Sequence, residues 1–326
     1  MIYIQIIILL AGFVFLVKGA DFFVDGSSDI AHAFHIPSVV IGLTIVSMGT
    51  SLPELAVSVT SAINGIEGIA IGNVVGSNIV NLMLVAGITA IIIPIGMEKS
   101  LITKDLPYSI IAAVAVLLLI TDNFFGMGFA SKDILTRADG LLLLLLFSIY
   151  LYSLITYTLR TQSNLQDHQE QASDCIKSKP IWKSAFITII GLAGIIAGGQ
   201  MTVNSASSIA KVCGMSDRLI GLTIVAFGTS LPELITSIVA AVRGENDIAM
   251  GNVVGSNIFN ILFILGIAAT LRPMPVENST LIDISALIAC SVFVLVSSCR
   301  KLRLSRITGI VMVLIYAAYN CYIFIK

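Results

Sequence analysis

The sequence predicts an all-α polytopic membrane protein in which ten transmembrane helices form two inverted repeats of five helices each. The first observation is composition: 57% of the 326 residues are hydrophobic and 11% are charged, whereas about 25% of a soluble domain is charged. The second is a series of long apolar runs along the chain, and the third is a duplicated segment.

The apolar runs account for most of the chain. A helix needs about 20 mostly apolar residues to cross the hydrocarbon core of a bilayer. The first run has no basic segment before it and no small-residue cleavage site after it, so it predicts a retained helix rather than a signal peptide. The runs lie at residues 4–31, 37–63, 67–93, 106–121, 138–159, 182–211, 217–242, 247–270, 280–298 and 305–325.

The duplicated segment makes the two halves of the chain equivalent. Residues 41–82 align without a gap to residues 220–261, with 27 of 42 positions identical at a constant offset of 179. Each half holds five predicted helices, an odd number, so the second copy enters the membrane from the opposite side and the repeats are inverted. The predicted divisions are a first repeat at 1–160, a linker at 161–181 and a second repeat at 182–326.

The distribution of basic residues predicts the orientation. With ten helices, eleven Lys and Arg residues fall on the side of the 161–181 linker and six fall on the other side. The positive-inside rule then places the linker in the cytoplasm and both termini outside, in a protein of the cell (inner) membrane. The linker is polar and has no apolar period, which is typical of a flexible tether.

The motif GTSLPE interrupts the second run at 49–54 and the seventh run at 228–233. Pro53 lacks an N–H and disrupts the hydrogen bond to the carbonyl of Gly49, so the helix is predicted to break there. The carbonyls around residues 47–50, and their counterparts in the second copy, then need a partner. At membrane depth such backbone persists only where it lines protein or a cavity, and a bound cation is one such partner.

Glu54 and Glu233 are carboxylates near the middle of these two runs. An ionised carboxylate at the bilayer centre costs about 2.5–3.5 kcal/mol on insertion scales. The nearest basic residues, Arg218 and Arg243, fall at the two ends of the seventh run. A protonated structural carboxyl is the alternative, but duplication inside a broken helix favours a pair of carboxylates that binds a cation.

The third and eighth runs carry the motif GNVVGSN at 72–78 and 251–257. Asn73, Ser77 and Asn81 repeat every four residues, so they share one helix face. The glycines form small-xxx-small pairs that let helices approach closely. Hydrogen bonding between packed helices is the alternative role for these polar groups, and it is favoured for Asn73, Asn78, Asn252 and Asn257.

The carboxylates, hydroxyls and amides of the duplicated segments supply twelve side-chain oxygens. Calcium takes about 6–8 oxygen ligands in a tolerant geometry, so this set leaves room for several adjacent sites. The set contains no His or Cys, which argues against zinc, copper and iron. The candidate metal-binding side chains are Glu54, Glu233, Thr50, Thr229, Ser51, Ser230, Ser77, Ser256, Asn81 and Asn260.

The remaining residues predict no further site. The five cysteines show no CxxC or metal spacing, so we expect no disulfide. Asp25 lies opposite Asn204 in the repeat alignment, so symmetry does not support it as a ligand and it is expected at the interface. No basic stripe with interleaved aromatic residues indicates nucleic acid. We predict no resident cofactor, no catalytic residue and no obligate protein partner; inorganic cations and the lipid bilayer are the expected partners.

The two copies of GTSLPE and GNVVGSN resemble the alpha-repeats of the calcium/cation antiporter superfamily, specifically those of prokaryotic sodium/calcium exchangers. The resemblance covers essentially the whole chain and implies the ten-helix, five-plus-five inverted architecture. It also implies that the repeat glutamates coordinate calcium and sodium, and that the backbone carbonyls of Ser47 and Ala226 join the neighbouring side chains as ligands. Several members have Asp where this chain has Asn260, so the site carries two formal charges, and ion stoichiometry, potassium use and proton coupling are left open.

The predicted function is secondary active antiport of calcium against sodium by alternating access. A calcium/proton exchanger, in which Glu54 and Glu233 titrate, is the alternative within transport. A passive channel is less favoured, because inverted repeats with broken helices suit alternating access better than a constant pore. An intramembrane hydrolase is disfavoured, because the motifs lack a histidine base, a GxSxG elbow and HExxH.

Overall fold

Helices dominate the computed structural model of the chain, which describes residues 2–65, 67–121, 133–168, 180–215, 226–276, 278–299 and 301–325. Seven of the described helices are long and apolar enough to cross a membrane, and an eighth span results if the bent pair Ser38–Thr50 and Leu52–Asn64 is counted as one. The prediction of a polytopic helical membrane protein is thus confirmed. The number of ten spans stays a prediction.

The described part of the first half of the chain contains six helices and two short strands. They are α1 (Ile2–Ala33), α2 (Ser38–Thr50), α3 (Leu52–Asn64), α4 (Glu67–Ile79, continued by Val80–Val85 and Ala86–Ile92), β1 (Ile95–Gly96), α5 (Leu101–Ile120), β2 (Ile134–Leu135) and α6 (Arg137–His168). Ser51 alone separates α2 from α3.

The described part of the second half repeats this order. Its elements are α7 (Ile181–Val212), α8 (Ala226–Thr229), α9 (Leu231–Val242), α10 (Asn246–Ile258, continued by Phe259–Ile264 and Leu265–Leu271), β3 (Met274–Pro275), α11 (Asn278–Cys299), β4 (Arg303–Leu304) and α12 (Arg306–Ile325). Ser230 alone separates α8 from α9.

The end of α6 differs from the predicted start of the linker. The helix continues to His168, whereas the linker was predicted to begin at residue 161. Residues 161–168 contain neither Gly nor Pro, and each of the other residue types costs less than about 1 kcal/mol in a helix relative to Ala. The helix can therefore continue past the apolar span into the polar residues 161–168. Residues 169–179 of the predicted linker lie outside the described residues.

α4 and α10 form the centre of the bundle. In the apolar stretch of each span, 72% of the residues are buried in α4 and 83% in α10, compared with 17% in α1. The central helices carry the GNVVGSN motifs, so the protein buries its most polar membrane segments most deeply. This arrangement keeps amide and hydroxyl groups out of contact with lipid.

α1 and α7 pack against each other along their lengths as an antiparallel pair. A Cβ atom added at Gly19 would lie 2.6 Å from the backbone nitrogen of Ile195, and one added at Gly198 would lie 2.6 Å from that of Leu16. The two backbones approach at distances that only glycine permits. The outer faces carry exposed apolar side chains such as Ile7 and Ile189, each 65% exposed, which suits contact with lipid.

Two short antiparallel ribbons join the halves. β1 pairs with β4, with Ile95 opposite Leu304, and β2 pairs with β3, with Leu135 opposite Met274. β1 and β3 are equivalent under the offset of 179, so each ribbon takes one strand from each half. The helices that follow are exchanged in the same way: Gly140 of α6 lies against α10, and Gly309 of α12 lies against α4.

Candidate cation-binding site

The two GTSLPE motifs form helix breaks. In the first motif α2 and α3 meet at Ser51 with a bend of 50°, and Pro53 lies in the first turn of α3. Ser51 (φ −84°, ψ 9°) and Ser230 (φ −90°, ψ 4°) have nearly the same non-helical backbone. The predicted break is therefore present in both copies. Residues 216–225, which precede α8, lie outside the described residues.

Glu54 and Glu233 lie in the first turns of α3 and α9 and are fully buried. The hydroxyl of Ser51 donates to Oε1 of Glu233 at 2.9 Å, and the hydroxyl of Ser230 donates to Oε1 of Glu54 at 3.4 Å. Each carboxylate is thus held by a serine of the opposite repeat, which brings the two breaks together. Among the described residues neither carboxylate forms a salt bridge, and Oε2 of each has no hydrogen-bond partner.

The polar faces of α4 and α10 meet beside the carboxylates. Ser77 is 4% exposed, and Asn81, Ser256 and Asn260 are fully buried. The amide of Asn260 donates to Oγ of Ser77 at 3.2 Å and to Oδ1 of Asn78 at 3.0 Å. The side-chain amide of Asn81 has no partner at either atom among the described residues. The equivalent asparagines therefore differ in their surroundings.

The carbonyl of Ser47 lies among these groups. It accepts from the Thr50 hydroxyl at 3.3 Å, from the backbone N–H of Ser51 at 3.1 Å and from the Ser256 hydroxyl at 3.5 Å. Thr229, in the second copy, is half-buried. The structure describes only the backbone of Ala226, so the predicted role of its carbonyl remains an expectation.

Asn81 and Asn260 lie in π-helical stretches, Val80–Val85 and Phe259–Ile264. These stretches are equivalent under the offset of 179 and were not predicted from the sequence. A π-helical turn holds an extra residue and is found most often at functional sites. Its wider turn changes the direction of the side chains that follow, so the polar face of each helix is not the simple four-residue repeat expected from the sequence.

Sequence reasoning missed a second set of polar contacts behind the carboxylates. The amide of Asn73 donates to Oγ of Ser58 at 2.9 Å and to the carbonyl of Glu54 at 3.3 Å. Asn78 and Asn257 each donate to the backbone carbonyl of the other, at 3.2 and 3.3 Å. These bonds agree with the helix-packing role favoured for the amides. The signal for Ser58 was available, since it is identical to Ser237 in the repeat alignment.

The buried oxygens without hydrogen-bond partners define what the site can do. An unsatisfied polar group in a membrane interior costs several kcal/mol. Carboxylate and amide oxygens are ligands that suit hard cations such as calcium. Within the described ranges no group of three or more His, Cys, Asp or Glu side chains could hold a metal ion, so a cation here must also use hydroxyls, amides and carbonyls. The oxygens concerned are Oε2 of Glu54 and Glu233 and Oδ1 of Asn81, Asn257 and Asn260.

The candidate site is covered on one side by α2. A Cβ atom at Gly251 would lie 2.8 Å from the carbonyl of Val39, and one at Gly255 would lie 2.7 Å from Cα of Leu43, so α2 packs tightly on α10. At the equivalent Gly72 and Gly76 no described residue lies within 4 Å. The residues equivalent to this part of α2 are 218–222, which lie outside the described residues. The end of the bundle that carries Gly65 is here called the Gly65 end.

Charged contacts close the opposite end, here called the Arg243 end. Arg243 forms salt bridges with Asp21, at 3.0 Å, and with Asp25, and Ser28 donates to Glu245 at 2.7 Å. The contact of Asp25 is consistent with the interfacial position expected for it. These contacts tie α1 to the connection between α9 and α10.

The chain is similar to known ion exchangers over nearly its full length. The family model described as sodium/calcium exchanger protein matches residues 4–156 and 183–325. The sodium/calcium exchanger MaX1 of Methanosarcina acetivorans is 33% identical over 349 residues, covering 99% of each chain, and the inner membrane protein YrbG of Escherichia coli is 33% identical over 83% of this chain and 81% of its own. A solved structure of the sodium–calcium exchanger NCX_Mj, soaked with zero Na+ and Ca2+, superposes with a TM-score of 0.83 at 32% identity, covering 99% of this chain and 100% of the other.

Proposed function

This chain belongs to the sodium/calcium exchanger protein family, and from that premise we propose that it exchanges calcium for sodium across the cell inner membrane by alternating access. Its relatives are exchangers rather than enzymes, so the hydrolase alternative is set aside. The NCX_Mj structure, which is that of a sodium–calcium exchanger, favours sodium as the counter-ion.

The observation that carries the proposal is the pair of fully buried carboxylates, Glu54 and Glu233, each bound by a serine of the opposite repeat. Two such charges in a low-dielectric interior are stable only when they are compensated. One calcium ion supplies two positive charges, and at least two sodium ions are needed to supply the same charge. Both substrates therefore compete for the same carboxylates.

The exchange mechanism follows from the electrostatics of that pair. Closing the site off from water while its two carboxylates hold no cation is unfavourable. The protein therefore changes the side to which the site opens only with cations bound. Calcium that leaves on one side must then be replaced by sodium before the site returns. This requirement makes counter-transport obligatory, which distinguishes the protein from a channel.

The proposed ligands are the groups that surround the carboxylates at the two breaks and on the facing sides of α4 and α10. The hydroxyls and amides contribute one oxygen each, and two backbone carbonyls join them. The proposed set consists of Glu54, Glu233, Thr50, Thr229, Ser51, Ser230, Ser77, Ser256, Asn81 and Asn260, with the carbonyls of Ser47 and Ala226. Protein groups are expected to hold the ions during transport without any resident cofactor.

We also propose the ten-helix architecture as two inverted repeats, with both termini outside and the 161–181 linker in the cytoplasm. Each of the two ribbons pairs a strand of one half with a strand of the other, β1 with β4 and β3 with β2. This approximately symmetric exchange between the halves supports the arrangement. In this orientation the Gly65 end faces outward and the Arg243 end faces the cytoplasm.

The test is sodium-gradient-driven uptake of calcium-45 into proteoliposomes. We expect uptake to require a sodium gradient, and we expect that a pH gradient of equal size cannot replace the sodium gradient. Glu54→Gln and Glu233→Gln are each expected to reduce uptake to background, because each removes one of two compensating charges. Asp283→Asn is the matched control, since Asp283 accepts a hydrogen bond from Tyr319 outside the site. Normal uptake in both glutamine variants would disprove the assignment of the carboxylates, and uptake driven by protons alone would disprove the sodium coupling.

A further inference from the structure

Asn252 makes three contacts that join three helices beside the carboxylates. Its amide nitrogen donates to Oγ of Ser237 at 3.0 Å and to the carbonyl of Glu233 at 3.4 Å, both in α9. Its oxygen, Oδ1, accepts from the hydroxyl of Thr50 in α2 at 3.0 Å. Asn252 itself belongs to α10 and is fully buried. One side chain thus fixes the turn that carries Glu233 and a hydroxyl of the opposite repeat.

The hydroxyl of Thr50 can bind a cation only while its O–H bond points away from the ion. A threonine hydroxyl carries one proton and two lone pairs, and a lone pair must point at the cation. The O–H must then donate its hydrogen bond to an acceptor elsewhere. The acceptors in reach are the carbonyl of Val46 at 3.1 Å, the carbonyl of Ser47 at 3.3 Å and Oδ1 of Asn252 at 3.0 Å. Ser47 is itself a proposed ligand through its carbonyl.

We propose that Asn252 is a positioning residue for ion binding. Its Oδ1 accepts the hydrogen bond of the Thr50 hydroxyl, which directs the hydroxyl lone pairs into the site, and its amide nitrogen holds the Glu233 turn in place. This inference rests on the proposed function and deepens it. Outer groups of this kind orient ligands at metal sites, and their removal costs about 10–100-fold in metal affinity.

The first repeat contains the same donor arrangement. The amide of Asn73 reaches Ser58 at 2.9 Å and the carbonyl of Glu54 at 3.3 Å, close to the two distances of Asn252. Each glutamate turn is thus held by an asparagine of the next helix and a serine four residues after the glutamate. The repetition of these three residues and their contacts in both copies argues that the geometry serves the glutamates rather than a local packing need.

The contact with Thr50 crosses from one repeat to the other, which a purely local structural role does not require. If Asn252 acts partly through Thr50, part of the harm caused by its loss requires the Thr50 hydroxyl, and the rest comes from the Glu233 turn. Residues that act through one another give non-additive effects in a double-mutant cycle, whereas independent residues give additive ones.

The test measures the calcium concentration that gives half-maximal uptake and the maximal rate, both in proteoliposomes with a fixed sodium gradient. Asn252→Ala is expected to raise the half-saturating concentration about tenfold and to leave the maximal rate at saturating calcium nearly unchanged. In a Thr50→Val background, which keeps the shape of the side chain, the same substitution is expected to have a smaller effect, because only the support of the Glu233 turn is then lost. Ser291→Ala is the control, because it removes a buried hydroxyl bonded only within α11.

A second variant guards against misfolding of Asn252→Ala. Ser237→Ala removes an acceptor of the Asn252 amide together with a long hydrogen bond, 3.4 Å, from the Ser237 hydroxyl to the carbonyl of Ala249. It is expected to raise the half-saturating concentration about threefold, as for the loss of a neutral hydrogen bond. Additive effects of Asn252→Ala and Thr50→Val, or an unchanged half-saturating concentration in Ser237→Ala, would overturn the positioning role. Absence of sodium-driven uptake in the unmodified protein would instead overturn the proposed function.

Discussion

The two copies of the duplicated segment share 27 of 42 residues but have different surroundings. Gly251 and Gly255 are buried against α2, whereas Gly72 is exposed and no described residue lies within 4 Å of the Cβ position at Gly72 or Gly76. The contact with α2 is thus described for one copy, while the residues equivalent to that part of α2 in the other copy, 218–222, lie outside the described residues. In an inverted-repeat transporter, exchange of a closed and an open arrangement between the copies is what moves access from one side to the other.

The largest expected effect comes from substituting the equivalent glycines. Gly251→Ala places a Cβ atom 2.8 Å from the carbonyl of Val39, so it is expected to lower the free energy of unfolding by about 1–3 kcal/mol through overpacking. Gly72→Ala meets no described atom within 4 Å and is expected to leave the melting temperature unchanged. Thermal unfolding of the purified proteins in detergent measures both.

Transport measurements test whether the two copies exchange their arrangements. If the copies exchange arrangements, the face of Gly72 must close in the other state, so Gly72→Ala is expected to reduce calcium-45 exchange at least about tenfold despite normal stability, since ~1.4 kcal/mol of overpacking in one state is enough. Normal exchange by Gly72→Ala would show that this face stays open throughout the cycle.

A comparable effect is expected from the asparagines next to the carboxylates. Asn260 donates two hydrogen bonds, to Ser77 and Asn78, whereas Asn81 has no partner among the described residues. Asn260→Asp cannot donate these bonds when ionised and is expected to lower the free energy of unfolding by about 1–3 kcal/mol. Asn81→Asp breaks no hydrogen bond among the described residues, so it is expected to lower the free energy of unfolding less than Asn260→Asp does.

Both aspartate variants add a third negative charge, so each is expected to change the calcium and sodium dependence of exchange while leaving a transporter. Melting temperatures and half-saturating ion concentrations separate the two effects. Equal stability of the two variants would show that the asparagines are equivalent after all, and an unchanged ion dependence would show that neither position is a ligand.

The smallest effect is expected at the Arg243 end. Arg243 pairs with Asp21 and Asp25, while the equivalent positions in the other copy are the neutral Asn64, Gln200 and Asn204. These three equivalent positions carry no charge, so the Arg243 pairs have no counterpart there, and Arg243→Asn is expected to favour opening at the Arg243 end. Partly exposed ion pairs are worth about 0–1 kcal/mol each, so the half-saturating calcium concentration measured from the Arg243 end should fall by about threefold.

The reverse substitution, Asn64→Arg, is the matched control, because neither Gln200 nor Asn204 can form an ion pair with it. The difference between Arg243→Asn and the unmodified protein should shrink at high salt, which screens exposed charges. A difference that persists in 1 M salt would indicate a role for Arg243 other than charge pairing.

The sequence predicted those parts of the site that depend on local chemistry. Pro53 and Pro232 determine the helix breaks through the missing N–H, and the buried carboxylates indicate a candidate ion site without any knowledge of the fold. The offset between the copies also identified which residues correspond. These inferences rest on properties of single residues and their near neighbours along the chain.

The parts that were missed depend on contacts between distant segments. The π-helical stretches at Val80–Val85 and Phe259–Ile264 arise where helices pack, and no residue type marks them. The bonds of Asn73 and Asn252 need the spatial neighbourhood of two helices. Two-residue strands are too short to show a period of two, so the ribbons could not be recognised. The helical part of residues 161–168 was missed because polar composition was read as a linker.

The ribbons have a consequence for how the protein is made. Ile95 pairs with Leu304, so α11 and the strand that follows it must be made before the strand after α4 finds its partner. At about 5–20 residues per second, synthesis of the intervening residues takes roughly 10 to 40 seconds. During that interval the newly made first half lacks the strands and helices of the second half that pack against it, so the polar groups of its candidate site are only partly enclosed.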